Sequence, residues 1–207
     1  MRSSLPVAAL IAAALLCGPT LAPAGAQEPA PLPVPPEPPK AEAQTPDEAP
    51  PIDRLFGELK RERNERAAER IASRIQEQWS RSGSASVDLL MLWSQEAMQA
   101  KKFAVALDFL DRVTVLQPKF AEGWNRRATV HFMMQSFGKS MADIERTLRL
   151  EPRHFGALSG MGMILKETGR KEAALHAYER VLAVYPMMRS AQGEVATLSE
   201  DLAGEAL

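Results

Sequence analysis

One short stretch of the chain has the composition of a nucleic-acid-binding surface. The segment AEGWNRRATVHFMM, residues 121–134, contains in order Trp124, Arg126, Arg127, His131 and Phe132. Arginine neutralises phosphate and aromatic rings stack on bases, so such a segment could hold a single strand. However, the chain has 25 basic and 26 acidic side chains and a formal net charge of −1, whereas nucleic-acid binders usually carry a basic excess. This balance favours a second interpretation, in which the segment is one packed helix, and nucleic acid is not a predicted partner.

Patterns typical of catalysis or of metal binding are missing from the sequence. It contains no HExxH motif, no glycine-rich phosphate loop and no GxSxG motif. The histidines His131, His154 and His176 lie in separate segments and Cys17 is the single cysteine, so no Cys/His set has the spacing of a metal site. The sequence therefore predicts a protein that is not an enzyme and that uses no cofactor or metal.

Residues 1–26 have the features of a secretory signal peptide. Arg2 provides the positive charge, and residues 5–16 form an apolar run that is too short to span a bilayer comfortably. The small residues 24–26 match a cleavage site, so we expect cleavage before Gln27 and export to the periplasm. An uncleaved N-terminus that anchors the chain is the alternative, and only then would the protein contact a membrane.

The next part of the chain divides into a linker and a helical segment. Ten of the sixteen prolines lie in residues 29–51, and proline favours extended backbone, so residues 27–51 are predicted to be a disordered, proline-rich linker. Residues 52–82 carry two apolar stripes at helical spacing. The stripes are Leu55, Phe56 and Leu59, then Ala68, Ile71, Ala72, Ile75 and Trp79. We interpret this segment as N-terminal helices that cover the first end of the fold, and a degenerate fourth hairpin is the form that this cover could take.

The remainder of the chain repeats with a period of 34 residues. Pro118, Pro152 and Pro186 recur at that interval, and proline ends a helix because it cannot continue the hydrogen-bond ladder. The prolines divide the sequence into units of about 87–120, 121–154 and 155–188. Each unit has small residues where two antiparallel helices would touch: Ser94, Ala128 and Gly162 in the first helices, and Ala106, Ser140 and Ala174 in the second helices.

These units resemble tetratricopeptide repeats, whose pattern is W-x-x-L-G-x-x-Y, then A-x-x-x-F, then P. The middle unit follows it with Trp124, Ala128, Ser140, Ile144 and Pro152. The resemblance implies an all-α fold, a right-handed superhelical solenoid of three helical hairpins with flanking N-terminal and C-terminal helices. Residues 83–207 would form the repeat domain, including a C-terminal capping helix. The signal peptide and linker add a likeness to small bacterial periplasmic members of this family that have no assigned role.

Two residues of the middle unit depart from the repeat pattern. Arg127 and His131 stand where the family prefers leucine and tyrosine. Either the helix is rotated, or both side chains are buried beside partners such as Asp108, Asp111 or Asp143, because burial without partners would cost several kcal/mol. The pattern alone leaves both explanations open.

The resemblance also implies a concave face, lined by the first helices of the hairpins, that binds a partner. Helical spacing places ten candidate residues there: Met91, Gln95, Met98, Asn125, Arg126, Thr129, Phe132, Met133, Met163 and Lys166. The methionines and Phe132 predict an apolar, adaptable groove, unless some of the methionines face neighbouring helices. Family members that clamp a terminal carboxylate use Lys, Asn and Arg at positions where this chain mostly has Met91, Gln95, Gly156 and Gly160, so no clamp is predicted.

Together these features predict an exported, non-catalytic adaptor or scaffold that binds a protein or peptide partner of the cell envelope. The alternative is a membrane-tethered envelope assembly factor or chaperone-like protein that is held by an uncleaved N-terminus. Both versions use the same solenoid and differ only in what happens to residues 1–26.

Overall fold

The computed structural model describes residues 52–205, and in this range every regular element is an α-helix. The helices are α1 (Ile52–Arg61), α2 (Glu65–Ser80), α3 (Ala85–Gln99), α4 (Phe103–Leu116), α5 (Ala121–Met133), α6 (Phe137–Leu150), α7 (Phe155–Glu167), α8 (Lys171–Val184) and α9 (Arg189–Glu205). The predicted all-α solenoid is confirmed. No helix in this range combines the length and the apolar character that crossing a bilayer requires. The predicted signal peptide and proline-rich linker lie outside the described residues.

Three helical hairpins, α3–α4, α5–α6 and α7–α8, form the repeats, and the prolines end them at equivalent places. Pro118, Pro152 and Pro186 each follow the last residue of a second helix by two positions. The residue before each proline donates its backbone N–H to the carbonyl four residues earlier, at N···O distances of 2.8 to 2.9 Å. The period of 34 in the sequence is therefore a period of the backbone.

Small residues allow the two helices of each hairpin to approach closely. All six predicted positions are buried, from Ser94 to Ala174. The Ser140 hydroxyl donates to the Ala128 carbonyl across the middle hairpin at 2.8 Å. A Cβ at Gly162 would lie 2.8 Å from the ring of Tyr178, so only glycine fits there without a shift. The sequence prediction of close helix contact is confirmed.

A left-handed residue ends the first helix of every hairpin. Lys101 and Gln135 have φ of 55°, and Gly169 has φ of 73°. In each case the next residue donates its N–H to a carbonyl in the last turn of the helix, for example Lys102 to Ala97 at 2.8 Å, as in a Schellman ending. Only the third hairpin has a glycine at this position. Lysine and glutamine rarely adopt this conformation, so the sequence does not reveal the turn in the other two hairpins.

The C-terminal helix α9 covers the last hairpin, as predicted. Ala191 and Leu198 are buried against α8, and Val195 packs beside them. Such a helix shields the final apolar face of a solenoid from water.

The N-terminal hairpin α1–α2 does not cover the first repeat, and here the sequence interpretation is wrong. Its helices contact α8 and α5 instead, and they lie against the turns that precede α7 and α9. The Trp79 ring stacks on His154 with centroids 4.1 Å apart, and Arg153 lies 4.0 Å above the Phe56 ring. Arg153 also pairs with Asp53 at 2.8 Å. The apolar stripes of α1 and α2 are therefore buried together with α8 and the start of α7, not against the first repeat.

Two separate apolar cores result from this arrangement. The larger core joins α1 and α2 to α5–α9 and includes Leu55, Leu59 and Ile75. The smaller core lies within α3–α4 and reaches only as far as Val130 of α5. The first hairpin is thus attached to the rest of the solenoid on one side only.

Candidate functional site: a groove between the first helices

A cavity of about 320 Å³ opens between α5 and α7 on the face that the first helices line. We call it the groove; its lining residues are Asn125, Ala128, Thr129, Phe132, Met133, Ser140, Ile144, Gly156, Ala157, Ser159, Gly160 and Met163. The side chains from α5 and α7 recur at i, i+3, i+4 and i+7, so each helix presents one continuous face to it. Its size is at the lower end of the range for ligand pockets, enough for the apolar side chains of a partner rather than for a large cofactor.

Two glycines of α7 create the depth of the groove. Gly156 and Gly160 stand one turn apart on the groove face, where a side chain would otherwise fill the space. A Cβ at Gly160 would lie 3.4 Å from Cδ1 of Ile144, which belongs to the second helix α6. Because α7 lacks side chains here, Ile144 and Ser140 form the floor of the groove. The sequence reasoning missed these floor residues, since it assigned the lining to first helices alone.

Five of the ten predicted site residues line the groove. They are Asn125, Thr129, Phe132, Met133 and Met163. Met133 and Met163 are nearly half exposed, and the Phe132 ring packs against Phe137 at 5.7 Å, which fixes one wall. Flexible thioethers beside a fixed ring are suited to apolar partners of varied shape. Their role in binding stays a prediction.

The other five predicted residues lie elsewhere. Met91 is 4% exposed and belongs to the smaller core, and Met98 packs against the same core. Gln95 is exposed on α3. Lys166 pairs with Glu194 of α9 at 2.6 Å. The first repeat therefore adds no methionine to the groove, which bears out for Met91 and Met98 the alternative that some methionines face neighbouring helices.

Arg126, the fifth of these residues, lies in a polar cavity of about 460 Å³ that adjoins the groove through Asn125 and Gly156. Glu122 accepts three hydrogen bonds there: from Asn125 at 3.0 Å, from Arg126 at 3.2 Å and from His154 at 3.2 Å. Burial by itself would raise the pKa of Glu122, but the hydrogen bond from His154 and the charge of Arg126 outweigh it and hold the pKa below its ordinary value. The donors that could attract an anionic ligand thus bind a carboxylate of the chain itself.

His154 holds this polar cavity in place. Its Nδ1 accepts the backbone N–H of Ala157 at 3.1 Å and so caps α7. A nitrogen that accepts carries no proton, so Nε2 bears the hydrogen that is donated to Glu122. With its ring stacked on Trp79, His154 connects α2, α5 and α7, and its role is structural.

In the segment that could have bound nucleic acid, Trp124 and Arg127 contact other residues of the chain instead. Arg127 makes a bidentate contact with Asp143, at 2.7 and 2.8 Å, and a further contact with Asp111 at 2.8 Å. The Trp124 ring lies 4.6 Å below the Arg127 guanidinium, and its N–H donates to the Pro118 carbonyl at 3.1 Å. Of the two explanations for the departures from the repeat pattern, the structure therefore selects burial beside acidic partners.

The surroundings shift the pKa of Arg127 and the pKa of His131 in opposite directions. The hydrogen bond to Asp143 raises the pKa of Arg127 despite burial, so this side chain is charged at every relevant pH. Burial lowers the pKa of His131, and the nearby Asp143 offsets only part of this effect. Among residues 52–205, no group of three or more His, Cys, Asp or Glu side chains could hold a metal ion.

Comparison of the sequence with other proteins identifies relatives that carry the same repeat. No protein-family model matches the chain. It is similar to a TPR repeat-containing protein of Rhizobium etli, with 51% identity over 153 residues that cover 74% of this chain and 75% of the relative. It is also similar to the small glutamine-rich tetratricopeptide repeat-containing protein 2 of Saccharomyces cerevisiae, with 26% identity over 117 residues, which cover 56% of this chain and 34% of that protein.

Solved structures show the same fold. The first TPR of Spaghetti (RPAP3), bound to the HSP90 peptide SRMEEVD, has a TM-score of 0.55 and 23% identity, and covers 58% of this chain and 95% of its own. The Sgt2 TPR domain from Aspergillus fumigatus has a TM-score of 0.56 and 18% identity, with 59% and 83% covered. The TPR2B domain of yeast Sti1, in complex with pHsp70, has a TM-score of 0.53 and 16% identity, and the match covers 57% of this chain and 99% of that domain.

Proposed function

The chain belongs to the tetratricopeptide repeat proteins, which serve as protein-binding scaffolds or adaptors and are generally non-catalytic, and from this premise we propose that it holds a partner in the groove between α5 and α7. The observation that carries the proposal is the groove itself, an open cavity with an apolar floor and two half-exposed methionines at its rim. Covering apolar surface contributes roughly 25 cal/mol per Å², so such a cavity favours a partner that inserts apolar side chains.

The partner we propose is a peptide segment with apolar side chains rather than an acidic C-terminal tail. The solved domains that share the fold bind peptides from HSP90 and Hsp70. In this chain Arg126 is paired with Glu122 and Lys166 with Glu194. An anionic tail would have to displace these carboxylates, and Glu122 is held by hydrogen bonds from Asn125, Arg126 and His154.

We propose further that the protein acts in the cell envelope after export. The support is the signal-like sequence of residues 1–26, followed by the proline-rich linker of residues 27–51. Mass determination of the protein purified from its native cells tests this proposal. A first residue of Gln27 supports an exported adaptor, whereas an intact Met1 supports the membrane-tethered assembly factor.

Two adjacent methionines allow a controlled search for the partner. Met133 lines the groove, and Met134 is comparably exposed but lies outside it. A photocrosslinking amino acid placed at Met133 should capture the partner from the native envelope fraction, and the same group at Met134 should capture far less. Equal capture from both positions would count against the groove as the binding site.

A substitution that fills the groove then measures how much the groove contributes to the affinity for the partner. The variant Gly160→Leu fills the cavity from its wall, and Gly193→Leu places the same side chain on α9, where a Cβ meets nothing within 4 Å. We expect Gly160→Leu to weaken binding of the captured partner about tenfold or more, as overfilled sites do, and Gly193→Leu to leave the affinity unchanged. Calorimetric titration that finds the same affinity for both variants would refute the proposed site.

A further inference from the structure

The two ends of the solenoid differ in whether a helix covers them. Helix α9 covers the last hairpin, but no described residue covers the outer face of the first hairpin, which we call the end face. Its apolar residues are Leu89, Leu92, Trp93, Val105, Phe109 and Leu116, and all but the half-buried Phe109 are exposed. A cleft of about 480 Å³ lies between α3 and α4 on this face. A terminal repeat of a solenoid normally has a polar outer surface, so an apolar one indicates an interface.

The helices that could have covered the end face are already in use. The apolar stripe of α1, Leu55, Phe56 and Leu59, is almost completely buried in the larger core. Moving α1 and α2 onto the end face would expose that stripe again and would break the Trp79–His154 stack. None of the described helices is therefore available to cover the end face.

We propose that the end face binds a second copy of this chain through a two-fold axis. The reason is a self-complementary pair of charges: Asp108 and Arg112 lie one turn apart beside the apolar stripe of α4, and neither forms an ion pair or hydrogen bond of its side chain within the described range. The ring centroids of Trp93 and Phe109 are 5.6 Å apart, so the two residues lie at the same level along the axis of the hairpin. A two-fold axis that crosses the hairpin at that level makes the α4 helices of the two copies antiparallel. Arg112 of each copy then lies opposite Asp108 of the other copy.

The same axis also matches the shapes of the two faces. It places the end of the hairpin that carries Leu89 and Leu116 over the end that carries the cleft. The small side chains of Ala97, Ala100 and Val105 leave space there for leucine. The rest of the cleft is lined by Trp93, Phe109, Glu96 and Lys102. Projecting side chains of one copy thus meet the open part of the other, as an isologous interface requires.

The size of the end face sets the expected strength of the dimer. Two helices of 14 and 15 residues are about 20 Å long, and at a spacing of about 10 Å they offer a face on the order of 400 Å² per copy. Interfaces of this size belong to the weak, transient class. We therefore expect a reversible dimer with a dissociation constant in the micromolar range.

Sedimentation velocity of the chain from Gln27 onward, across micromolar concentrations, tests the dimer. The expected result is a monomer–dimer equilibrium that Leu92→Glu weakens at least about tenfold, because a charge would be buried at the interface. The matched control is Met133→Glu in the groove, since the two wild-type side chains are equally exposed, 51% and 49%. The control should dimerise normally even if it binds no partner, so failure of this proposal and failure of the proposed function are distinguishable.

Charge reversal tests the two-fold arrangement itself. Arg112→Asp places like charges opposite each other and should weaken the dimer about tenfold, and adding Asp108→Arg should restore it. A chain that is monomeric at every concentration would overturn the proposal, as would equal effects of Leu92→Glu and Met133→Glu, or a double reversal as weak as the single one. A chain that dimerises only after removal of residues 27–51 would show that the linker covers the end face instead.

Discussion

Equivalent positions of the middle and third hairpins carry side chains of opposite chemistry, polar in one and apolar in the other. The residues 34 positions after Arg127, His131 and Asp143 are Met161, Leu165 and Ala177. In the middle hairpin these slots hold a hydrogen-bonded ion pair, and in the third they hold apolar side chains of the larger core. The helices nevertheless begin and end at equivalent residues. The repeat geometry therefore requires that the slots be filled and that polar groups be paired, but it does not require that the slots be apolar.

The largest expected effect comes from breaking the ion pair of the middle hairpin. Asp143→Ala leaves the Arg127 guanidinium buried without its main partner, and such a change costs about 3 kcal/mol or more in the free energy of unfolding. Asp111 contacts the same guanidinium but is 62% exposed against 7% for Asp143, so Asp111→Ala should cost less than about 1 kcal/mol. Denaturant titration of the three proteins measures both values. Equal losses from both substitutions would show that burial does not decide the strength of this network.

The same network can be replaced by the residues of the third hairpin. The triple variant Arg127→Met, His131→Leu, Asp143→Ala should recover most of the stability that Asp143→Ala loses, because exchanging a buried ion pair for apolar side chains is often neutral. A triple variant as unstable as Asp143→Ala alone would mean that the two hairpins are not interchangeable after all.

An intermediate effect is expected from the close contact of the third hairpin. Gly162→Ala forces a Cβ to 2.8 Å from the buried ring of Tyr178 and should cost about 1–3 kcal/mol. The middle hairpin has Ala128 and Ile144 at the equivalent positions, so the larger residue on one helix is matched by a smaller one on the other. We expect Gly162→Ala to cost much less in a Tyr178→Ile background, and a double-mutant cycle of unfolding free energies measures the coupling. Additive losses would contradict this account.

The smallest expected effect is a pH dependence that only the middle hairpin has. Burial lowers the pKa of His131 in the folded state below 6.5, so the unfolded chain binds a proton at a higher pH than the folded chain does. Stability is therefore lost as the pH falls from 6.5 through the folded-state pKa. His131→Leu should flatten this part of the profile in thermal unfolding measured between about pH 7 and about pH 5. The loss of stability that depends on Glu122 sets in separately, at pH values below 4.5, the ordinary pKa of a glutamate side chain.

Local sequence patterns predicted the repeats because each position of the pattern makes its contacts within one hairpin. A proline ends its own helix, and a small residue at Ala128 or Ala174 faces a helix that is close in the sequence. The acidic partners of Arg127 were likewise on the adjacent helices, which left few alternatives. Such features could be read from spacing alone.

The groove and the position of the N-terminal hairpin could be predicted only in part, because they depend on contacts between distant segments. A small rotation of α3 decides whether Met91 faces the core or the open face, and helical spacing does not fix that angle. The floor residue Ile144 becomes accessible only because Gly160 lies above it. Nothing in the local pattern of α2 indicates that Trp79 would stack on His154 rather than on the first repeat.

The attachment of α1 to α8 has a consequence for how the chain reaches its native state. An array in which each hairpin touches only its neighbours can fray from either terminus in small steps. Here the apolar stripe of α1 is buried in the larger core beside α8, so opening the last hairpin also uncovers the start of the described chain. During synthesis, α2 can shelter Leu55 and Leu59 in part, but their full burial requires α8. The first of the described helices to be synthesised is therefore among the last to be fully buried.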